Sequence, residues 1–340
     1  MKRQNLKNKS YREIWVQLPE SSAEGDFSFS AFSFRPFLLS MHEFLQQVIN
    51  GLSLGAIYAL IALGYSMVYG VLKFINFAHG DVLMIGAFAG FYAVPMIHGI
   101  FPDPWTTTAA VLIWSMAVCA VLGVVIERLA YRPLRNQPKL AVLITSIGVS
   151  LLLSYGGQIL FGVNQKAFPD LLPPIRVSLG SSVTISGNHL LVMAVTLLLL
   201  VALRETIQRT RFGLALRALS QNRDAAALMG VNSNAVISLT FAVGSALAGA
   251  AGVLYAMNIH SIEPLMGTLP GIKAFVAAVL GGIGSMPGAA VGGLLLGLTE
   301  CLLGGSDLSS YRDAIAFGIL ILILLVRPSG LFGSSAAEKV

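Results

Sequence analysis

Long apolar segments recur along the chain, and the polar stretches between them carry its charged residues. A helix that crosses a bilayer needs about 20 predominantly apolar residues. Segments without any Asp, Glu, Lys or Arg cover residues 48–72, 82–98, 107–126, 140–161, 187–203, 235–257, 274–299 and 314–326. The seventh contains the helix-breaking sequence GGIGSMPG at residues 281–288, and it therefore counts as one pass or two. The pattern predicts an all-α, polytopic membrane helix bundle of eight or nine transmembrane segments.

The composition excludes a soluble protein. Of the 340 residues, 55% are hydrophobic and only 11% are charged, whereas soluble domains carry about 25% charged residues. The mean hydropathy is +0.76. A soluble chain of this kind would have too little polar surface to cover its core, so part of its solvent is lipid. No basic run with interleaved aromatic residues suggests a nucleic-acid partner.

The first 40 residues differ from the remainder of the chain. They are polar at first and then alternate Ser with Phe, and Arg35-Pro36 interrupts their only apolar patch. A secretory signal requires an unbroken apolar core of about 7–15 residues after a basic start. We expect residues 1–40 to be a non-native extension ahead of a natural start at Met41, or a disordered tail, and residues 41–340 to form a single transmembrane domain.

Two basic loops indicate the orientation. Residues 127–139 and residues 204–223 are both rich in arginine, and two predicted spans separate them, so both loops face the same side. Cytoplasmic loops carry an excess of Lys and Arg. The sequence therefore predicts that Met41 lies outside and that the C-terminus, with Arg327 and Lys339, lies in the cytoplasm.

The chain lacks the motifs of common enzymes. It contains no GxxxxGK[ST] phosphate loop and no GxSxG nucleophile motif, and its histidines are not spaced as metal ligands. We expect no catalytic activity, cofactor or metal. Ion-coupled carriers usually keep acids in the middle of the membrane, whereas Asp81, Lys273 and Glu300 stand at the ends of the predicted spans. Energy for transport would then enter from outside the membrane.

Residues 204–234 form a long connection with a helix-forming portion at 213–229. Gly213 precedes this portion, and Gly230 is placed to end it as a C-terminal cap. A helix that carries Arg217 and Arg223 among alanines can dock into a cleft of another protein, since guanidinium groups bind carboxylates. The alternative is a solvated basic loop that only enforces the topology.

The sequence Asp224-Ala225-Ala226, followed after three residues by Gly230, resembles the EAAxxxG coupling motif of ABC-importer permeases, with Asp in place of Glu. The later Ile-x-Leu-Pro of that motif is absent. Residues 50–88, 127–135, 273–300 and 324–333 resemble the H-type (LivH) permease family of branched-chain amino-acid ABC importers, and the resemblance extends from Met41 to the C-terminus.

The resemblance implies the fold of the cobalamin-importer-like branch of ABC permeases, in the inner membrane of a bacterium. It implies as partners two ATP-binding subunits, a second related permease and a periplasmic or lipid-anchored binding protein. Residues expected to couple the chain to the ATPases are Arg217, Arg223, Asp224, Ala225, Ala226 and Gly230.

Two further segments are candidates for the transport path. The first, INFAHGD, contributes Asn76, His79 and Asp81, which either line the path or cap helix ends. The second is the break in the seventh segment, where backbone groups freed from a helix must be buried in protein or face water. Its candidate residues are Gly281, Gly282, Gly284 and Ser285. The alternative for this break is a tight turn at the membrane surface.

The sequence is also compatible with other functions. A permease for urea or short-chain amides, in the same superfamily, would share nearly all of these features. A passive channel or an ion-coupled carrier is a different class, and so is a purely structural membrane protein, which would not need the Asp-Ala-Ala segment.

Overall fold

The computed structural model describes residues 41–135, 137–179, 183–306 and 309–333, with the backbone alone of Leu320. The expectations for residues 1–40 and for Lys339 lie outside these residues. Within them the chain forms eleven α-helices: α1 (Met41–Leu72), α2 (His79–Ile100), α3 (Pro104–Ile126), α4 (Lys139–Phe161), α5 (Gly187–Arg209), α6 (Arg211–Gln221), α7 (Arg223–Leu228), α8 (Ser233–Ile259), α9 (Thr268–Gly281), α10 (Met286–Gly304) and α11 (Arg312–Val326).

Among the described residues, eight helical segments are long and apolar enough to cross a membrane. They are α1, α2, α4, α5, α8, α10, the stretch Pro104–Leu134 that begins with α3, and the stretch Ser309–Val326 that contains α11. The predicted all-α bundle of eight or nine spans is confirmed. Only helices fit here because lipid offers no hydrogen bonds to the backbone.

Helix α1 is the centre of the bundle. Nearly every residue from Gly51 to Val68 is buried, against α10, α8, α9 and α5. The interhelical contacts pass through small residues, as in other membrane bundles. A β-carbon at Gly252 of α8 would lie 2.2 Å from the Leu83 carbonyl oxygen of α2, and one at Gly297 of α10 would lie 2.2 Å from the Gly55 nitrogen of α1. These helices are therefore in backbone contact.

The two basic loops are shorter than predicted. Helix α3 continues through a π-helical turn at Glu127–Tyr131 and a 3-10 turn at Arg132–Leu134, and residues 204–209 belong to α5. Both loops nevertheless lie at one end of the bundle, because Arg135 donates a hydrogen bond to the Asn234 side chain at the start of α8, at 2.6 Å. We call this the basic end.

The part of the chain that the structure describes has four short strands at the opposite end. β1 (Lys166–Ala167) pairs antiparallel with β4 (Ser261–Ile262), and β2 (Arg176–Leu179) forms a hairpin with β3 (Val183–Ser186). The side-chain oxygen of Gln46, near the start of α1, accepts a hydrogen bond from the Thr184 backbone nitrogen of β3 at 2.9 Å. The strand-bearing end is thus joined to the start of α1, and the basic end is joined to the continuation of α3.

The interrupted seventh segment is a helical hairpin. Helices α9 and α10 meet at a turn over residues 282–285, where Gly282 and Gly284 have positive φ angles of 102° and 90°. With 14 residues, α9 is about 21 Å long, shorter than the roughly 30 Å hydrocarbon core. α9 therefore does not span the bilayer by itself, whereas α10 is long enough.

Candidate functional site

The predicted coupling residues lie on two short helices at the basic end, α6 and α7. Thr210 caps α6 by accepting a hydrogen bond from the Gly213 nitrogen, at 3.1 Å. Gly213 lies inside the first turn of α6, which corrects its predicted position ahead of the helix. A β-carbon there would lie 2.0 Å from the Ile207 carbonyl oxygen. Only glycine therefore lets α6 turn back so closely against the end of α5.

Helix α6 is amphipathic. Its buried face consists of Gly213, Leu216 and Leu219. Arg217 is exposed, and its guanidinium donates a hydrogen bond to the Ile207 carbonyl at 2.9 Å. This residue therefore fastens α6 to the end of α5 and presents its charge to solvent.

Helix α7 is defined at both of its ends. The Asn222 side chain accepts hydrogen bonds from the Asp224 and Ala225 nitrogens, each at 3.0 Å, and caps the N-terminus. At the C-terminus, Gly230 has a φ of 84° and donates to the Ala227 carbonyl, and the next nitrogen, of Val231, donates to the Ala226 carbonyl. This is a Schellman motif, and the predicted capping role of Gly230 is confirmed.

The coupling candidates on α7 differ in exposure. Arg223, Asp224, Ala225 and Gly230 are exposed, whereas Ala226 is buried. Ala226 therefore packs α7 against the chain, and the other four are available to a partner.

Two residues that sequence reasoning missed form the tip of α7. Leu228 and Met229 expose 89% and 85% of their surface, directly before the cap at Gly230. Unlike the exposed apolar side chains of the spanning helices, which can face lipid, this pair lies on a short polar connection at the basic end, where an exposed apolar patch is a candidate contact with a partner protein. The signal in the sequence was an apolar pair ahead of a glycine cap, in an otherwise polar connection.

The INFAHGD candidates are buried by the protein itself. Asn76 accepts a hydrogen bond from the Tyr131 hydroxyl at 2.5 Å. The carboxylate of Asp81 accepts from the hydroxyls of Ser150 and Ser154 of α4, each at 2.5 Å. In this conformation both polar groups hold helices together.

His79 places the start of α2 deep in the bundle. Its ring lies 4.6 Å from the Tyr65 ring between centroids, and a β-carbon at Gly64 would lie 2.4 Å from its Nε2. Gly64 is eight residues from the end of α1, about 12 Å along the helix axis. Residues 73–78 therefore run back along α1, and His79 Nε2 has no hydrogen-bond partner among the described residues.

The break between α9 and α10 is covered by the C-terminal segment. The nitrogens of Leu331 and Phe332 donate to the carbonyls of Leu280 and Gly281, at 2.9 and 3.0 Å. Gly281 and Gly282 are buried, whereas Gly284 is exposed. The backbone groups freed at the turn are therefore satisfied by protein.

Ser285 and Gly284 complete the turn. The Ser285 hydroxyl accepts from the Gly288 nitrogen at 3.3 Å and caps α10. The Gly284 nitrogen donates to the Ser66 hydroxyl of α1 at 3.0 Å. The turn is therefore anchored to the central helix.

Two of the three charged residues that the sequence places at the ends of spans, Lys273 and Glu300, form a cluster with Asp313. Lys273 of α9 lies 2.6 Å from the Glu300 carboxylate of α10 and 2.8 Å from the Asp313 carboxylate of α11. The Tyr58 hydroxyl donates to Glu300 at 2.9 Å. Lys273 and Glu300 are both buried, and Glu300 lies four residues before the end of α10. Their charges compensate each other, as buried charges require.

A second buried ion pair stands at the basic end. Arg135 pairs with Glu127, whose carboxylate also accepts a hydrogen bond from Ser238 of α8 at 2.5 Å. Glu127 lies in the continuation of α3, within the spanning stretch Pro104–Leu134. Both acids are thus engaged by partners within the chain.

Comparison with known proteins decides the family. A family model described as "Branched-chain amino acid transport system / permease component" matches residues 47–324. The chain belongs to this family. It is therefore a permease component and not an enzyme, and its eight apolar helices make it a multi-pass membrane protein.

Individual relatives agree with this assignment. The permease protein BraD of the high-affinity branched-chain amino acid transport system of Pseudomonas aeruginosa is 46% identical over 307 residues, covering 88% of this chain and 99% of BraD. The corresponding LivH of Escherichia coli K12 is 43% identical over 302 residues, covering 87% and 98%. A probable LivH of Methanocaldococcus jannaschii is 28% identical over 296 residues, covering 81% and 88%. No solved structure matches the chain.

Proposed function

We propose that this chain is one membrane subunit of an ATP-driven importer for branched-chain amino acids, and that α6 and α7 couple it to separate ATPases. The observation that supports this proposal most directly is the pair of helices α6 and α7, which exposes Leu228 and Met229 at the basic end of a chain of this family. The relatives' names favour branched-chain amino acids over urea or short-chain amides.

The proposed orientation puts the basic end in the cytoplasm, following the excess of Lys and Arg in cytoplasmic loops. The C-terminal segment then lies inside as well. Its Leu331 nitrogen donates a hydrogen bond to Leu280, next to the turn between α9 and α10, and this turn contacts α1 near the C-terminal end of that helix. The strand-bearing end faces outwards, where a soluble binding protein would deliver the amino acid.

The proposed mechanism is alternating access driven from the cytoplasmic side. Two ATPase subunits would grip α6 and α7 of this chain and of a second, related permease. Arg217 passes a displacement of α6 to the end of α5, since its guanidinium is bonded to the Ile207 carbonyl. Arg223 and Asp224 offer charges for partner side chains, while buried Ala226 holds α7 on the bundle.

Asn76, His79 and Asp81 are proposed to act on the path by controlling helix positions. Each is buried, and the Asp81 carboxylate joins the start of α2 to α4 through two serines. The turn at Gly281, Gly282, Gly284 and Ser285 would move with the C-terminal segment that covers it. Such a turn is suited to act as a gate because moving it breaks no hydrogen bonds within a helix.

The test is uptake of radiolabelled leucine by cells that lack their own system and express this chain with its neighbouring subunits. Arg217→Glu and Gly230→Asp should abolish uptake. The first variant loses the donor to the Ile207 carbonyl, and the second forces a side chain into a left-handed backbone position at φ 84°. Immunoblots of membranes and gel filtration must show normal levels of folded protein. Normal transport by either variant would remove the coupling assignment.

A further inference from the structure

A cavity of about 430 Å³ lies between α1, α5 and α10, close to the basic end. Its apolar lining residues are Leu63, Leu200, Leu203, Ile207, Met286, Pro287 and Ala290, and its polar ones are Arg204 and Gln208. None of the coupling or transport-path candidates described above lines it.

The cavity has an apolar floor and a cationic mouth. Leu63 exposes 1% of its surface, and Leu203 and Ile207 expose 5% each. Arg204 and Gln208 are exposed, and Arg204 has no ion-pair or hydrogen-bond partner among the described residues. The site is therefore amphipathic along its length, with a positive charge where the apolar helices meet the polar end.

Water is a poor occupant of this cavity. One water molecule takes up about 30 Å³ of the liquid, so a cavity of this size would hold several waters that find almost no polar partners. Leucine also fits poorly, because none of the described residues that line the cavity is an acid that could receive its ammonium group. An anionic phospholipid provides both an apolar chain for this lining and a phosphate for Arg204.

We propose that this cavity holds an anionic phospholipid from the leaflet on the basic side, with an acyl chain on Leu63, Leu200 and Leu203 and the phosphate on Arg204. Leu200, Arg204 and Gln208 succeed one another at four-residue intervals and line the cavity from one face of α5. Pockets that end in basic residues on the cytoplasmic side of spanning helices bind acidic head groups. The assignment of this side to the cytoplasm rests on the proposed function.

A ligand here would act on the coupling region. Ile207 lines the cavity and its carbonyl receives the Arg217 guanidinium of α6. Met286 and Pro287 lie in the first turn of α10, next to the turn that Ser285 caps. The lipid would thus stabilise the junction between α5, α6 and α10.

The test is native mass spectrometry of the full chain, purified from membranes in mild detergent with the subunits that copurify. The preparation is titrated with equal amounts of phosphatidylglycerol and phosphatidylcholine. The wild-type chain should retain phosphatidylglycerol about fivefold more than phosphatidylcholine, the preference expected for one basic residue near the head group. Arg204→Gln should remove this preference. Arg209→Gln, on the opposite face of α5 and paired with Glu205, should retain it.

A second pair of variants tests the apolar part. Leu200→Trp should take up part of the cavity and lower retention of both lipids, whereas Leu198→Trp, on the exposed opposite face, should leave retention unchanged. Unchanged preference in Arg204→Gln, or unchanged retention in Leu200→Trp, would overturn the proposal.

Two outcomes would assign the cavity to another occupant and overturn the proposal equally. If leucine raises the Tm of the wild-type chain but not that of Arg204→Gln, the cavity is a substrate site. If Leu200→Trp releases a copurifying membrane subunit, the cavity is a subunit interface. Lipid retention is measured without transport, so failure of the proposed importer function in uptake assays would be separate from failure of the lipid site.

Discussion

Replacing Leu228 with serine tests the tip of α7 as the surface that an ATPase grips. Leu228 exposes 89% of its surface in the isolated chain, so the substitution removes almost no contact within the fold. Exposed substitutions of this kind change the free energy of unfolding by about 0.5 kcal/mol or less. If the side chain becomes buried in a partner, its loss costs about 1.5–3 kcal/mol of binding.

This cost corresponds to an affinity for the ATPase subunit weakened about tenfold to a hundredfold, since each 1.4 kcal/mol is a factor of ten. The assay titrates a fluorescent ATPase subunit against the detergent-solubilised permease and records Kd, with the Tm of the permease measured in parallel. Leu228→Met keeps an apolar side chain of similar size and should bind nearly as the wild-type chain does. Wild-type affinity in Leu228→Ser, with normal uptake, would refute the assignment of this tip to coupling.

Three further substitutions test the packing of the bundle. Asp81→Ala removes the acceptor of two serine hydroxyls of α4 and should lower stability by about 3–6 kcal/mol, since hydrogen bonds to charged groups contribute about 1.5–3 kcal/mol each. Lys273→Met leaves the Glu300 charge buried without its nearest partner and should lower the free energy of unfolding by about 3–5 kcal/mol. The double variant Lys273→Met/Glu300→Gln should recover part of this loss, because the unpaired charge is removed. Gly252→Ala places a β-carbon 2.2 Å from a backbone oxygen of α2 and should cost at least about 1–3 kcal/mol, whereas Gly148→Ala in open space should be neutral or stabilising.

Each of these is measured as the Tm and the denaturant midpoint of the purified chain in one detergent. The explanation of the α2–α4 contact fails if Asp81→Ala is as stable as the wild-type chain. A double variant at 273 and 300 that is less stable than Lys273→Met alone would contradict compensation between these two charges. Equal Tm values for the two glycine variants would contradict backbone contact between α2 and α8.

The sequence alone was sufficient for the spanning helices, because the requirement for about 20 apolar residues is local and one-dimensional. The ends of α7 were also readable in part, since Gly230 is a local signal for a C-terminal cap. The extension of α3 beyond Ile126 was missed because Glu127 and Arg135 looked like loop charges. Their pairing with each other and with Ser238 allows the helix to continue.

Other features depend on contacts between distant parts of the chain. Lys273 and Glu300 are 27 residues apart, and only the hairpin of α9 and α10 brings them together. The depth of His79 depends on Gly64, which offers the space for its ring. Periodicity and composition contain no information on such pairs. The apolar pair ahead of Gly230 marks Leu228 in the sequence, but how far Leu228 is exposed depends on how α7 packs on the bundle.

Leucine transport into proteoliposomes tests most directly whether outside ATPases drive this chain. In vesicles where α6 and α7 face the lumen, the complete assembly with ATP inside and binding protein outside should concentrate labelled leucine in the lumen against its gradient. The same membranes prepared without the ATPase subunits should show no accumulation. Accumulation of leucine against its gradient by the membrane subunits alone would contradict the dependence on external motors.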